Sequence, residues 1–320
     1  ELVAQDVPVR DAAIGDALSA LGSDKGSMEH MVGRFLAGLK GSADAASTGA
    51  RGLLSLLGAK LEQASHPLIE LFETMRRESD ANPFMLGSRK SFVPRLGKIV
   101  WRSEEKNPFH AYIFETKDGR KAGFIRISSY EGGPKAVKSF GGIMAKFQAE
   151  TASLIIDQVN NPGGSVPYLY ALASHLTDKP LKTAQHHLIV DAGDAHQSAD
   201  LLLRVLRPQK REAPKTDEEK EEDKTFDGYP ITQKFMMEMI RQAQFILKQF
   251  NAGKRFTDLT PIQGVDEIEP APNPAQRFTK PILLLTNALD FSGGDFFPAL
   301  MQDNKRVTIL GVRTAGAGGY

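Results

Sequence analysis

The sequence predicts an α/β protein with parallel strand pairs, on three observations. An apolar strand, a turn and a helix follow one another at 153–176, SLIIDQ then VNNPGGS then VPYLYALASHL. The same order recurs at 281–303, where PILLLTN runs through a Ser-Gly-Gly turn into DFFPALMQD, and RVTILGV supplies a further strand behind it. A β-rich stretch, with IVW, AYIFET and GFIRISSY in succession, precedes both. Strand, turn and helix in that order imply a parallel pair joined by a crossover.

Taken in order, 1–18 reads as a short strand, a turn and a helix start. Residues 28–71 are rich in Ala, Gly, Leu and Ser, with local helical spacing in FLAGL and LLSLLGAKLEQ. The segment 66–95 mixes a helix-like LIELFETMRRE with Pro and Gly breaks, which suits a mobile linker or a regulatory segment. Between the β-rich runs, Lys117-Asp118-Gly119-Arg120 predicts a hairpin turn. A helix is expected over 134–150, with Val137, Phe140, Met144 and Phe147 on one face. An excursion occupies 183–280: a helix in AHQSADLLLRVL, a charged run over 207–225 too polar to pack, and a helix over 231–250. That last helix carries Phe235, Met239, Ile246 and Phe250 at core-facing spacing, and its MMEM is read as core filling.

Composition narrows the function. The 320 residues have 41% hydrophobic and 25% charged content, enough for a large core and for more than one domain or long insertions. Forty basic against 39 acidic residues leave a net charge of +1, which argues against nucleic acid or an anionic membrane as partner. With no cysteine, a disulfide frame, a cysteine metal site and a thiol nucleophile are excluded. No apolar run is long enough to span a bilayer. The chain opens on Glu1 without a signal segment and stops in the glycine-rich TAGAGGY, so it reads as a piece lacking material at both ends.

Chemistry concentrates in three turns. Ser292 stands at the mouth of a helix, beside the backbone N–H groups of Gly293 and Gly294, where it serves either as a nucleophile next to an oxyanion site or as an ordinary helix cap. Pro298 fits if it falls in the first helical turn. In Asp157–Gly164, DQVNNPGG, glycine's access to positive φ lets Gly163 and Gly164 aim N–H groups outward as half an oxyanion hole; the alternative is a plain Asn-Pro-Gly turn. The third turn, Arg313 to Gly319, reads RTAGAGG. Asp295, in the first turn after Ser292, is read as a cap favoured by the helix dipole.

Together IIDQVNNPGGSV, NALDFSGGDFFPALMQDN and TILGVRTAGAGG resemble the core of the tail-specific (C-terminal processing, S41) serine peptidases, most closely their chlamydial branch and its bacterial relatives, over roughly 99–320. The resemblance implies a crotonase-like α/β core over 96–320, with part of a PDZ-like module within 1–95 around DVPVRDA. It implies an endopeptidase acting on protein or peptide substrates through an acyl-enzyme at Ser292, with Gly293 and Gly163 or Gly164 as oxyanion donors. Asn161 and Arg313 are weaker candidates for substrate contact, and neither metal nor cofactor is implied. Most of the family carries a lysine base in a Gly-Lys-Gly about 25 residues past the serine; here that place reads Gly316-Ala317-Gly318. The resemblance therefore implies a Ser-His-Glu triad whose histidine and glutamate lie outside these residues, since neither His110 nor the His186-His187 pair matches the family position. It further implies export, a zymogen with an inhibitory segment near 66–95, and a homodimer. A catalytically incomplete peptide-binding module is the rival reading, and a crotonase-type acyl-CoA enzyme a remote one.

Overall fold

The computed structural model describes residues 82–206 and 224–318. The expected PDZ-like start, the helical spacing in 28–71, most of the 66–95 segment and nearly all of the charged run lie outside the described residues.

Six strands form one sheet whose spatial order follows the chain: β1 (Lys98–Arg102), β2 (Ala111–Glu115), β3 (Lys121–Arg126), β4 (Ser153–Asp157), β5 (Ile282–Thr286) and β6 (Thr308–Gly311). The first three pair antiparallel, and β3 through β6 pair parallel, so the sheet is mixed. The predicted hairpin forms between β2 and β3: Gly119 takes φ 82, and the Thr116 N–H donates to the Arg120 carbonyl at 2.8 Å. Beyond Arg126 the expected strand through GFIRISSY stops, and Tyr130 pairs with Gly164 through an isolated bridge outside the sheet.

Helix α1 (Pro134–Glu150) forms the crossover between β3 and β4, over the predicted span. Phe140, Met144 and Phe147 are buried as expected, and Ile143 joins them. The α1 helix comes so near β3 that a Cβ on Gly123 would lie 2.8 Å from the Phe147 ring. After β4, Ser165 caps helix α2 (Val166–Ser174) by accepting from the Tyr168 N–H. Helix α5 (Gly293–Asp303) then connects β5 to β6. In β4 and β5, Leu154, Ile156, Ile282 and Leu284 are buried, and the alternate residues Ile155, Leu283 and Leu285 are partly covered.

The chain divides into two compact units. One holds the sheet, with Ser65–Ala184, Asp227–Tyr229 and Glu267–Tyr320; the other includes Gln185–Phe226 and Pro230–Asp266. In the second, helices α3 (Ala192–Leu206) and α4 (Gln233–Asn251) pack together, and Thr232 caps α4 by accepting from the Phe235 N–H at 3.1 Å. The buried face of α4 is turned from the expected one. Phe235 and Met239 are buried, but the stripe continues through Ala243 and Leu247 while Ile246 and Phe250 are only partly covered. Met236 and Met239 fill core as read. Glu238 is buried among them, and loss of hydration pushes its carboxyl up to about 7. Among the described residues no helix is long and apolar enough to cross a membrane.

Candidate active site

Parallel pairing of β4 with β5, Leu285 opposite Asp157, brings the turns after both strands to the same sheet edge. Open α/β sheets bind ligands at that carboxyl edge. The Phe291 N–H donates to the Asn161 carbonyl at 2.8 Å, tying one turn to the other. A Cβ on Gly163 would sit 2.6 Å from the Gly293 nitrogen and 2.8 Å from the Ser292 Cβ, at φ 91. No other residue fits there. Gly164, at φ 140, lies as close to the Tyr130 backbone, where a Cβ would come within 2.4 Å of the carbonyl.

Ser292 is the N-cap residue of α5 by position but makes no capping hydrogen bond. Its backbone stands at φ 53, ψ −112, a conformation that side-chain-bearing residues avoid and that surrounding structure must enforce. A sharp strand-to-helix turn with a strained serine is the geometry of a nucleophile elbow. The N–H groups of Gly293 and Gly164 donate to no acceptor among the described residues. The Gly163 N–H is different: it donates to Asn161 Oδ1 at 2.8 Å, so of the two glycines only Gly164 keeps a free donor. Asn161 is correspondingly unfit for substrate contact, because it is fully buried and its Nδ2 donates to the Ile127 carbonyl at 3.0 Å. Arg313 is exposed on the loop after β6, without a hydrogen bond or ion pair among the described residues.

Three groups that the sequence reading passed over hold the turns together. Gln158 Nε2 donates to Asp290 Oδ2 at 3.0 Å and to the Gly294 carbonyl at 2.8 Å, while its Oε1 accepts from the Tyr130 hydroxyl at 2.8 Å. Pro298 falls in the second turn of α5, not the first. It cannot supply the N–H that the Gly294 carbonyl would normally receive four residues on, and Gln158 supplies one in its place. Asp290, fully buried, accepts from the Asn161 N–H at 3.1 Å and the Asn287 N–H at 3.0 Å as well. Burial raises its carboxyl to about 6 against those hydrogen bonds and the Arg126 guanidinium.

Asp295 sits in the first turn, where the helix dipole favours it, but its carboxylate faces outward from the helix. It accepts from the Gly316 N–H at 3.0 Å and the Ala317 N–H at 2.9 Å, drawing the lysine-free loop to the start of α5. On the other flank, Arg126 is buried with Asp157 in an ion pair at 3.0 Å and donates to the Val159 and Ser88 carbonyls. Asp157 also accepts from Ser91, and the Gly87 N–H donates to the Asn160 carbonyl at 2.9 Å. The described part of the 66–95 segment therefore lies on the first residues of the DQVNN turn.

None of the described histidines hydrogen-bonds to Ser292. His110 lines a cavity of about 290 Å³ with Arg89, Arg95, Arg102 and Tyr112, which contains neither Ser292 nor the glycine turn. Burial first, then Arg102 and Arg89, hold its imidazole below the ordinary histidine range. His187 Nδ1 is engaged with the Thr257 carbonyl, and the Nε2 of His186 is buried without a partner among the described residues. Among the described residues no cluster of three or more His, Asp and Glu side chains could hold a metal ion.

Comparison with known proteins converges on one family. The model for peptidase family S41 matches residues 121–320. A Chlamydia pneumoniae protein is 37% identical over 253 residues, 73% of this chain and 39% of that protein, and an uncharacterized Chlamydia muridarum protein is 37% identical over 254 residues. Among solved structures, mature CPAF, the chlamydial protease-like activity factor, superposes with a TM-score of 0.64 at 35% identity, covering 73% of this chain and 46% of that one. Its complex with lactacystin gives 0.63 at 34%. The chain thus spans about two fifths of the length of its curated relatives. Since the family model takes in well over half of the chain, including both turns and the strained serine, the chain belongs to peptidase family S41.

Proposed function

We propose that this chain carries the nucleophile and oxyanion hole of a serine endopeptidase. The observation that carries the reading is the backbone of Ser292, held at φ 53 and ψ −112 without a capping bond, beside two uncommitted amides. A serine that merely capped its helix would spend its hydroxyl on the helix and would need no strain. Ser292 Oγ attacks the scissile carbonyl carbon, and the carbonyl π pair moves onto oxygen. The N–H groups of Gly293 and Gly164 receive that oxyanion. Each such donor contributes up to about 3–4 kcal/mol to lowering the barrier. Collapse expels the amine and leaves an acyl-serine, which water then hydrolyses. The base that takes the serine proton, and returns it to the leaving amine, is assigned to a histidine oriented by a glutamate beyond these 320 residues. The greater length of the relatives and the lysine-free Gly316-Ala317-Gly318 support that assignment.

The crotonase-like description of the core, the PDZ-like start, export and homodimerisation are carried over from the family on the same footing. So is inhibition by the 66–95 segment, which its contacts with Asn160 and Asp157 support. Mass spectrometry of the purified active protein tests the last point, because an intact chain with full activity removes it. The catalytic reading is tested with a fluorophosphonate probe, and with lactacystin, which mature CPAF binds. Labelling of the complete protein that disappears in Ser292→Ala is expected. No labelling, or equal labelling of the variant, overturns the protease reading and favours a peptide-binding module.

A further inference from the structure

We propose that Asp290 is a positioning residue for acyl transfer, its buried carboxylate coupling the Ser292 elbow to the turn that carries the second oxyanion donor. The inference rests on the serine peptidase reading. Asp290 reaches both halves of the site at once. Oδ1 takes the Asn161 N–H from the glycine turn, and Oδ2 takes the Gln158 side chain from the end of β4 and the Asn287 N–H from its own turn. Its backbone carbonyl also accepts from the Ala315 N–H at 2.9 Å, so one residue spans β4, β5 and the last loop.

Two residues further on stands Ser292, whose backbone would relax if its surroundings loosened. The distance that matters for chemistry is the one between the Ser292 hydroxyl and the Gly164 N–H, groups on different turns. The two oxygens of Asp290 bridge those turns, beside the Asn160–Asn287 pair and the Gln158 bond to the Gly294 carbonyl. Three donors aimed at one group require an acceptor at every point. A carboxylate meets that need; an amide would turn its own NH2 toward one of the three. Asp290 touches no reacting atom, so its influence passes entirely through position.

Charge works in the same sense. The Arg126 guanidinium and the Tyr130 phenol are the other ionisable groups that face it. With its folded value near 6 above the ordinary value of 3.8, the group's contribution to stability is complete below about pH 4 and is lost as pH rises through 6. Its acceptor role runs the other way, since it needs the ionised form and weakens as pH falls through 6. A carboxylate placed only for stability would not be placed here.

The test is Asp290→Asn in the complete protein, assayed near pH 7.5 with turnover normalised to fluorophosphonate-titrated sites. kcat is expected to fall roughly 10- to 100-fold with KM within about twofold, the pattern of misplaced reacting groups. The midpoint of thermal unfolding should move little, because the variant removes a buried charge along with the bonds. A kcat per titrated site equal to wild type overturns the proposal, as does a loss confined to the number of folded sites. If Asp290→Asn does not fold, Asp290→Glu decides: it keeps a carboxylate but displaces it by one methylene from the Asn161 and Asn287 N–H groups, and a folded variant with wild-type kcat overturns the proposal equally. Failure of the underlying reading looks different, since wild type itself would then not label at Ser292.

Discussion

The two turns that build the site solve opposite problems. The turn after β4 reaches its shape with glycines, at φ 91 and φ 140, where a side chain is sterically barred on both sides. The turn after β5 places a side chain where glycine would be comfortable, at Ser292. One half is made to fit by removing atoms, and the other keeps an atom it needs and accepts strain. The glycine turn has only Asn160, at φ 63, as a side-chain-bearing residue in the left-handed region, which asparagine tolerates, whereas the elbow places there the residue whose hydroxyl does the work. The supports differ to match: the glycine turn is pinned from behind by the Tyr130 backbone, and the elbow by the Gln158 side chain reaching across from the end of β4.

That contrast can be broken at four places. The largest effect is expected on the support of the glycine turn. Arg126→Ala strands Asp157 as a buried, unpaired charge and should lower unfolding free energy by about 3–5 kcal/mol, measured by urea denaturation. Next comes Gly164→Ala. Its Cβ would collide with Tyr130, and displacement of the donor should slow phosphonylation of Ser292 by the fluorophosphonate, with loss of fluoride, by roughly 10²- to 10³-fold. A smaller effect probes the elbow. Ser292→Gly should be more stable than Ser292→Ala by about 1 kcal/mol in thermal unfolding, despite glycine's entropic cost, because only glycine relieves the strain. Equal stability of the two would mean that the elbow is unstrained. The smallest concerns the loop: Asp295→Ala should speed amide exchange at Gly316 and Ala317 by about tenfold, as each loses a charge-assisted bond.

What the sequence disclosed follows the range of the interactions. The hairpin at Gly119, helix α1 and the Ser-Gly-Gly turn are set by neighbours within a few residues, and they stand where the pattern puts them. The joint between the turns depends on contacts across 129 to 136 residues, such as Asp290 with Asn161 and Gln158 with Gly294. Nothing local marks them. Spacing gave α4 its helix but not its orientation, since a 3.6-residue period permits a stripe through Ile246 as readily as one through Leu247. Asp295 shows the same limit. Its place in the first turn was legible, whereas its partners in the final loop were not, because a carboxylate near a helix start has more than one donor in reach.

Pro298 has a consequence for assembly. By deleting one hydrogen bond from the helix that begins at the nucleophile, it leaves the Gly294 carbonyl dependent on a side chain carried by another strand. A chain that docked α5 one residue out of step with β4 would bury that carbonyl unmatched, at a cost of about 1–3 kcal/mol. The proline thus acts as a check on registration. It favours chains in which the hydroxyl and its oxyanion donors are already aligned, before any substrate arrives.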